Sequence, residues 1–218
     1  MAIKQYAVIG LGRFGTSIAR RLHEAGQEVL GIDLDEESVD GAELFVTHAV
    51  VADSTEEKAL TSLGITNFDC VIVAIGDDIQ SSILTVMLLK NLGVKKIIAK
   101  ALSKRQGQVL EAIGAHWVIY PERDMGERVA NQLLSPNMLN YIELSKTYNI
   151  EEVMIPSQMV GKNLKEFDLR AKFNVSVIAI VRSDDIIISP SPEELLQEED
   201  VLLTIGKRKD LTKFSSLE

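Results

Sequence analysis

The sequence predicts an α/β fold: a Rossmann-type doubly wound parallel sheet followed by a second, smaller α+β domain. Three observations predict it. The apolar run Tyr6-Ala7-Val8-Ile9 enters Gly10-Leu11-Gly12-Arg13-Phe14-Gly15 and leaves it as a segment of helical period. Short apolar runs then alternate with helical patterns over roughly the first 120 residues, as a sheet with helical crossovers requires. Beyond Pro136 the pattern changes to closely spaced short strands. A chain of 218 residues has room for one such domain of about 130–150 residues and a small one besides. The division is expected between 1–136 and 137–218.

Each element of the first domain has a local reason. Gly10 serves a tight turn, Gly12 lets backbone approach a phosphate, and Gly15 lets the new helix pack on the strand. The helix N-terminus then offers unpaired N–H groups to an anion. Phe14, Ile18, Ala19 and Leu22 share one helical face, and Gly26 closes the helix. Glu28 to Ile32 reads as a second strand ending at Asp33, eighteen residues beyond Gly15, where a carboxylate can accept ribose hydroxyl protons. A short polar helix leads to a third strand, Val46 to Val51, and Thr55-Glu56-Glu57 begins another helix. The fourth strand is Val71 to Ile75, followed by Gly76 and a helix over Ile79 to Leu92. Ile97-Ile98-Ala99 is the fifth strand and Trp117-Val118-Ile119 the sixth. Continuous apolar runs of this kind suit parallel strands covered on both faces.

Pro121 stops the sixth strand, and Glu122-Arg123-Asp124 begins a helix carrying Met125, Val129, Leu133 and Leu134. Ser135-Pro136 interrupts it and marks a hinge or boundary. Strands at Glu152 to Ile155, Val175 to Val181, Ile186 to Ile188 and Val201 to Ile205, with short helical pieces between, make the second domain. Val175 to Val181 is too apolar for an exposed sheet face and belongs in a core or an oligomer interface.

Composition excludes several function classes. Twenty-three basic against 32 acidic residues give a net charge of −9, which argues against a nucleic-acid surface and a general anionic-lipid surface. The single cysteine, Cys70, begins an apolar run, so it reads as a buried strand residue, and one thiol forms no internal disulfide. No signal peptide precedes the first strand, and no apolar run reaches the roughly 20 residues that span a bilayer. His23, His48 and His116 have no nucleophile or carboxylate at a telling spacing. No zinc-type cluster and no Walker GxxxxGK[ST] motif is present, so the reading is of a non-enzyme.

Several residues carry two readings. Arg13 places a cation inside the phosphate loop, which suggests more negative charge than a bare pyrophosphate. Asp53, with Ser54 and Thr55, either accepts from an adenine amino group or caps a helix. Ile75-Gly76 either lets adenine or ribose pass close to backbone or is a simple turn. Lys100 either reaches a phosphate or carboxylate or is a solvated strand-end lysine. Glu122 suits a helix first turn by the macrodipole alone, and beside phosphates it needs a bridging cation. Arg170 either holds a phosphate ligand against an apolar wall or pairs with Asp168, the simpler reading.

The combination Ala7-Val8-Ile9-Gly10-Leu11-Gly12-Arg13-Phe14-Gly15, Asp33, Val71 to Gly76, Ala99-Lys100-Ala101 and Tyr120-Pro121-Glu122-Arg123-Asp124-Met125-Gly126 resembles the regulator of K⁺ conductance (RCK) family, specifically the cytosolic gating subunits of Ktr-type bacterial potassium transporters. The resemblance covers essentially the whole chain, with Asp168 to Ala171 and Ile188-Ser189-Pro190 in the smaller domain. It implies a non-catalytic sensor with a TrkA-N domain that binds ATP or ADP, sometimes NADH, and a TrkA-C domain that binds cyclic di-AMP.

Carried onto this chain, the resemblance gives Gly10, Gly12, Phe14 and Gly15 to the phosphate loop and Asp33 to the ribose. Asp53, Ser54, Ile75 and Gly76 surround the adenine. Arg13 contacts the terminal phosphate of ATP at a dimer interface, Glu122 helps place a bridging cation, and Lys100 joins the site. Arg170, with Leu164, Ser176, Ile178 and Pro190, surrounds cyclic di-AMP. The implied assembly is a homo-oligomer, dimers forming an octameric ring, cytoplasmic and peripheral beneath a membrane-embedded K⁺ transporter subunit. Two rival readings are an NAD-dependent oxidoreductase, which leaves Arg13 unexplained, and a cyclic dinucleotide receptor whose first domain is only structural.

Overall fold

A computed structural model describes residues 2–134, 137–183 and 185–217. They divide into two compact units, Met1–Met125 and Gly126–Glu218. The division falls inside a helix, and Pro136, where the sequence places the boundary, lies outside the described residues together with Ser135.

The first unit runs β1 (Gln5–Ile9), α1 (Arg13–Glu24), β2 (Glu28–Asp33), α2 (Glu36–Ala42), β3 (His48–Val51), α3 (Glu57–Ser62), β4 (Cys70–Val73), α4 (Ile79–Asn91), β5 (Ile97–Lys100), α5 (Lys104–Ala112) and β6 (Trp117–Ile119). The strands form one sheet in the order β3-β2-β1-β4-β5-β6, and every pair is parallel. Both faces are covered, which is why the strands read as unbroken apolar runs: Ala7, Ile9, Ile32, Val71, Val73 and Ile97 bury one side and Val8, Val29, Cys70 and Ile72 the other. Fully burying an Ile or Val side chain contributes about 1.5–3 kcal/mol. Cys70 is 4% exposed, and burial pushes its thiol up.

Two strand limits in this unit differ from expectation by two residues. The third strand begins at His48 rather than Val46, because Val46 turns into the core at 6% exposure and the Thr47 hydroxyl replaces a backbone carbonyl as acceptor for the Val29 N–H at 2.9 Å. The fourth ends at Val73 rather than Ile75. Beyond Val73 the chain meets the Gly10 turn so closely that a Cβ on Gly10 would lie 3.0 Å from Ile75 N.

Helix α6 (Pro121–Leu134) follows β6 and contains the division between the units. The second unit continues with β7 (Met138–Glu143), β8 (Tyr148–Met154), α7 (Leu164–Phe167), α8 (Leu169–Phe173), β9 (Ser176–Arg182), β10 (Asp185–Ile188), β11 (Val201–Lys207) and α9 (Arg208–Ser215). Its antiparallel sheet has the order β10-β9-β11-β8-β7. The apolar run at Val175 to Val181 lies between two neighbours in this sheet, with Val175 and Ile180 at 0% exposure. A core with Leu202, Leu211 and Phe214 explains its apolarity. Arg182 ties this unit together: Nε and Nη2 each donate to the fully buried Asp200 carboxylate at 2.9 Å, and Nη1 donates to Glu194 at 3.1 Å.

Strand β7 and helices α5 and α9 carry no expectation from sequence, and β8 begins at Tyr148 instead of Glu152. The edge strand β7 lacks clean alternation and carries a register shift between Met138 and Asn140. Helix α9 buries only Leu211 and Phe214 among large apolar residues, a stripe too short for the period to declare itself.

Candidate functional site

Strand order reverses at β1, whose neighbours are β2 and β4, and ligands of open α/β sheets bind beyond the carboxyl ends at such a point. A crevice of about 210 Å³ lies there. Its lining includes Gly10, Gly12, Asp33, Asp53, Ser54, Ile75 and Gly76. The structure thus brings together seven of the residues singled out from the sequence.

The glycines do different things. Gly10 has φ +93°, and its N–H donates to Ile32 O at 2.8 Å, fixing the turn out of β1. A Cβ on Gly15 would lie 1.8 Å from Gly10 O, so helix and turn meet there with no space for a side chain. Gly12 is the opposite case: its φ is −66°, and a Cβ would meet nothing within 4 Å. Nothing among the described residues requires glycine at that position, whereas a ligand approaching the backbone would. Gly12 is also the N-cap of α1 and supplies no capping side chain, and the first turn carries no acidic residue. The α1 N-terminus is therefore left with donors and a positive dipole end facing outward.

Asp33 fastens this loop. One carboxylate oxygen accepts from Leu11 N at 2.5 Å and the other from Asp35 N at 3.0 Å. Each oxygen keeps a second acceptor site. Asp53 is half-buried and accepts from Thr55 N at 2.8 Å and from Thr55 Oγ1 at 2.7 Å. It does not cap a helix, since α3 begins at Glu57 with Glu56 as its N-cap, not at Thr55. Ser54 is buried and its hydroxyl lies 2.8 Å from Thr85 Oγ1.

Asp78 and Ser81 also line the crevice and drew no notice in the sequence. Asp78 caps α4, accepting from Ser81 N and Ser81 Oγ at 2.9 and 2.7 Å. Those bonds hold its carboxyl below the usual carboxylate range. The readable signal was an Asp three residues before a Ser at a helix start on the same sheet edge.

Lys100 is not a solvated strand-end lysine. It is 8% exposed, its Nζ lies 2.8 Å from Glu122 Oε1, and it stands 5.8 Å from the centre of the Phe14 ring. A Cβ on Gly76 would lie 3.4 Å from that Nζ, so Lys100 borders the crevice wall. The hydrogen bond from Lys100 and that from its own backbone N–H hold the Glu122 carboxyl low, and the charge of Arg13 adds to this. Arg13 itself lies outside the crevice lining, on the exposed side of α1 beside Thr16, Ser17 and Arg20. Among the described residues no cluster of three or more His, Cys, Asp or Glu gathers as metal ligands.

In the second unit Arg170 is exposed on α8, and the expected surface pair with Asp168 is absent. Asp168 instead caps that helix, Oδ1 accepting from Ala171 N at 3.2 Å. Ser189 N donates to Ile178 O at 2.8 Å, which sets Pro190 beside Ile178, and Lys165 N donates to Pro192 O at 2.9 Å, drawing the start of α7, with Leu164, toward the same segment. Ser176 opens β9 and is exposed. A separate cavity of about 430 Å³, lined by Lys162, Phe167, Lys172 and Phe173, includes none of these five residues.

The TrkA-N domain model matches residues 6–121 and the TrkA-C domain model residues 150–217. The chain belongs to the RCK family, with TrkA-N and TrkA-C domains. It is 45% identical over 97% of its length to the Ktr system potassium uptake protein C of Bacillus subtilis, covering 96% of that protein. It is 46% identical to the Ktr system potassium uptake protein A of the same organism, over 98% of this chain and 96% of that one. The solved structure of the GsuK channel bound to NAD is similar, with a TM-score of 0.56 at 26% identity, covering 98% of this chain and 38% of that one. Every crevice residue and Lys100 lie within the TrkA-N match, and Glu122 follows its last residue directly. Among the described residues no helix is long and apolar enough to cross a membrane.

Proposed function

We propose that this RCK-family chain is a non-catalytic regulatory subunit of a Ktr-type potassium uptake system, and that it senses ATP or ADP in the TrkA-N crevice. The observation that carries this reading is Gly12, an uncapped helix N-terminus with open space where a side chain would stand, beside Asp33 in a chain closely similar to two potassium uptake proteins.

In this reading Gly10, Gly12 and Gly15 bring backbone to the phosphates and the α1 amides receive their charge. The free acceptor sites of Asp33 take the ribose hydroxyls, and Asp53 with Ile75 borders the adenine. Arg13, outside the crevice of its own chain, serves the terminal phosphate of a nucleotide held by a second copy. Glu122 would help hold a cation that offsets the charge of the phosphates. A contact made to the third phosphate across a subunit interface gives ATP and ADP different affinities for two assembly shapes, and only such a difference shifts the equilibrium between them. The membrane partner, a K⁺ transporter subunit, reads the shape of a cytoplasmic ring of these chains, built from dimers and octameric. Arg170, Leu164, Ser176, Ile178 and Pro190 form half of a cyclic di-AMP site completed by a second copy.

A second reading, NADH as the crevice ligand, is favoured by one observation: the similar GsuK channel is described as bound to NAD. Titrating the purified protein with ATP, ADP, NADH and cyclic di-AMP, while following thermal stability and oligomer size, separates these readings, because a ligand selective for the native state raises its stability. The proposal expects ATP and ADP each to raise the melting temperature and to differ in their effect on oligomer size. Stabilisation by NADH alone would replace it with the second reading.

A further inference from the structure

The second unit contains a buried acid that the nucleotide reading does not use. Asn149, Glu151 and Val153 alternate along β8 onto one face of the sheet, with exposures of 3%, 3% and 0%. Val153 shares its core with Leu211 and Phe214 of α9, the helix that packs against β8 and β11. Asn149 Nδ2 donates to Glu151 Oε1 at 3.3 Å. The two remaining oxygens, Asn149 Oδ1 and Glu151 Oε2, are buried and have no hydrogen-bond partner among the described residues.

If Glu151 is ionised, both orphan atoms are acceptors, and neither can satisfy the other. Leaving two buried acceptors unpaired beside a buried charge is a costly arrangement that native proteins avoid. One proton resolves all of it. Carried on Oε2 and donated to Asn149 Oδ1, it closes an acid–amide ring whose other half is the existing Nδ2–Oε1 bond.

Among the described residues, the groups around the pair do not supply an alternative. From β11, Thr204 lies opposite Glu151, but its hydroxyl donates to the Glu151 backbone carbonyl at 3.0 Å. From β7, Tyr141 lies opposite Glu151 and Glu143 opposite Asn149. From α9 come the buried Asp210 and the half-exposed Arg208, whose guanidinium is 3.4 Å from Glu143. Among the described residues Arg208 is the cation that favours ionised Glu151, and it is already paired with Glu143. Burial pushes the Glu151 carboxyl up, outweighing the Asn149 bond and Arg208.

We propose that Glu151 is held as a neutral carboxylic acid paired with Asn149, and that this proton works as a latch keeping α9 closed on β8. Losing it places a charge between sheet and helix and loosens the C-terminal unit. The direction follows from linkage: a carboxyl that binds its proton more tightly folded than unfolded contributes stability that is complete below the unfolded value of 4.5 and is lost as pH rises through the folded value.

Infrared difference spectra of the full-length protein against Glu151→Gln, at neutral pH, test this directly. The expected result is a protonated-carboxyl C=O band in the native protein that is missing from the variant and vanishes at alkaline pH. In parallel, the melting temperature of the native protein should fall with rising pH more steeply than that of Glu151→Gln, whose amide keeps the ring without a titrating proton. If the variant does not fold, the loss of the band with pH in the native protein still decides the matter. A spectrum without the band at neutral pH, or a melting temperature that responds to Na⁺ or K⁺ through Glu151 instead of to pH, would overturn the proposal in favour of an ionised carboxylate holding a water or a cation.

Discussion

Lys100 Nζ lies 2.8 Å from Glu122 Oε1, joining the end of β5 to the first turn of α6. The two partners are unequal, with side-chain exposures of 10% for Lys100 and 63% for Glu122. Removing the carboxylate therefore strands a buried ammonium, while the pair itself is partly screened by water. Glu122→Gln should cost about 1 kcal/mol, between the values for exposed and buried pairs. The Glu122 carboxyl is held below its ordinary value of 4.5, so the stability it contributes is present above that pH and is lost as pH falls through the folded value. Melting temperatures between pH 7 and pH 3 should drop further for the native protein than for Glu122→Gln, and parallel curves would show that the pair contributes nothing.

Gly12 and Gly15 should separate folding from binding. Gly15→Ala forces a methyl group against Gly10 O, where an ideal Cβ lies at 1.8 Å, and should destabilise the first unit by about 1–3 kcal/mol through overpacking. Gly12→Ala meets nothing within 4 Å and should leave the melting temperature almost unchanged while weakening ATP and ADP at least tenfold. Calorimetric titration and thermal unfolding of both variants check this, and undiminished nucleotide affinity in Gly12→Ala would remove the case for a ligand at that backbone.

In the second unit, Arg182→Met leaves the fully buried Asp200 without its bidentate partner. Removing one member of a buried pair costs about 3 kcal/mol, and urea unfolding followed by the tyrosines of that unit measures it. Burial alone would raise the Asp200 carboxyl, but Arg182 and the Gln197 N–H outweigh it and hold it below 3.8. Its contribution is thus present above that pH and fades only in stronger acid, so the difference between native and variant should shrink there.

How far the sequence reaches depends on how local the cause is. The parallel sheet was legible because its strands are buried on both faces, and seven crevice residues were legible because loop and strand ends carry them to one edge. For Lys100 the sequence left a carboxylate contact and a solvated lysine both open, since its burial comes from packing beside Gly76 and Phe14 and its partner lies in α6. The Asp168–Arg170 expectation failed because a backbone N–H of the next helix is a nearer donor for Asp168 than the guanidinium. Strand β7 escaped because an edge strand with a register shift shows no clean alternation, and the Asn149–Glu151 pair because their burial depends on a helix that the sequence did not declare.

The central claim is that the nucleotide held by this chain sets potassium flux through a membrane partner. The most direct measurement is K⁺ flux through a Ktr-type membrane subunit reconstituted in vesicles with this chain, with ATP or ADP supplied on its side. The account expects different fluxes with the two nucleotides, and a difference that Arg13→Ala abolishes while ADP affinity stays within about threefold of native. Equal flux with ATP and ADP in the native assembly would contradict it.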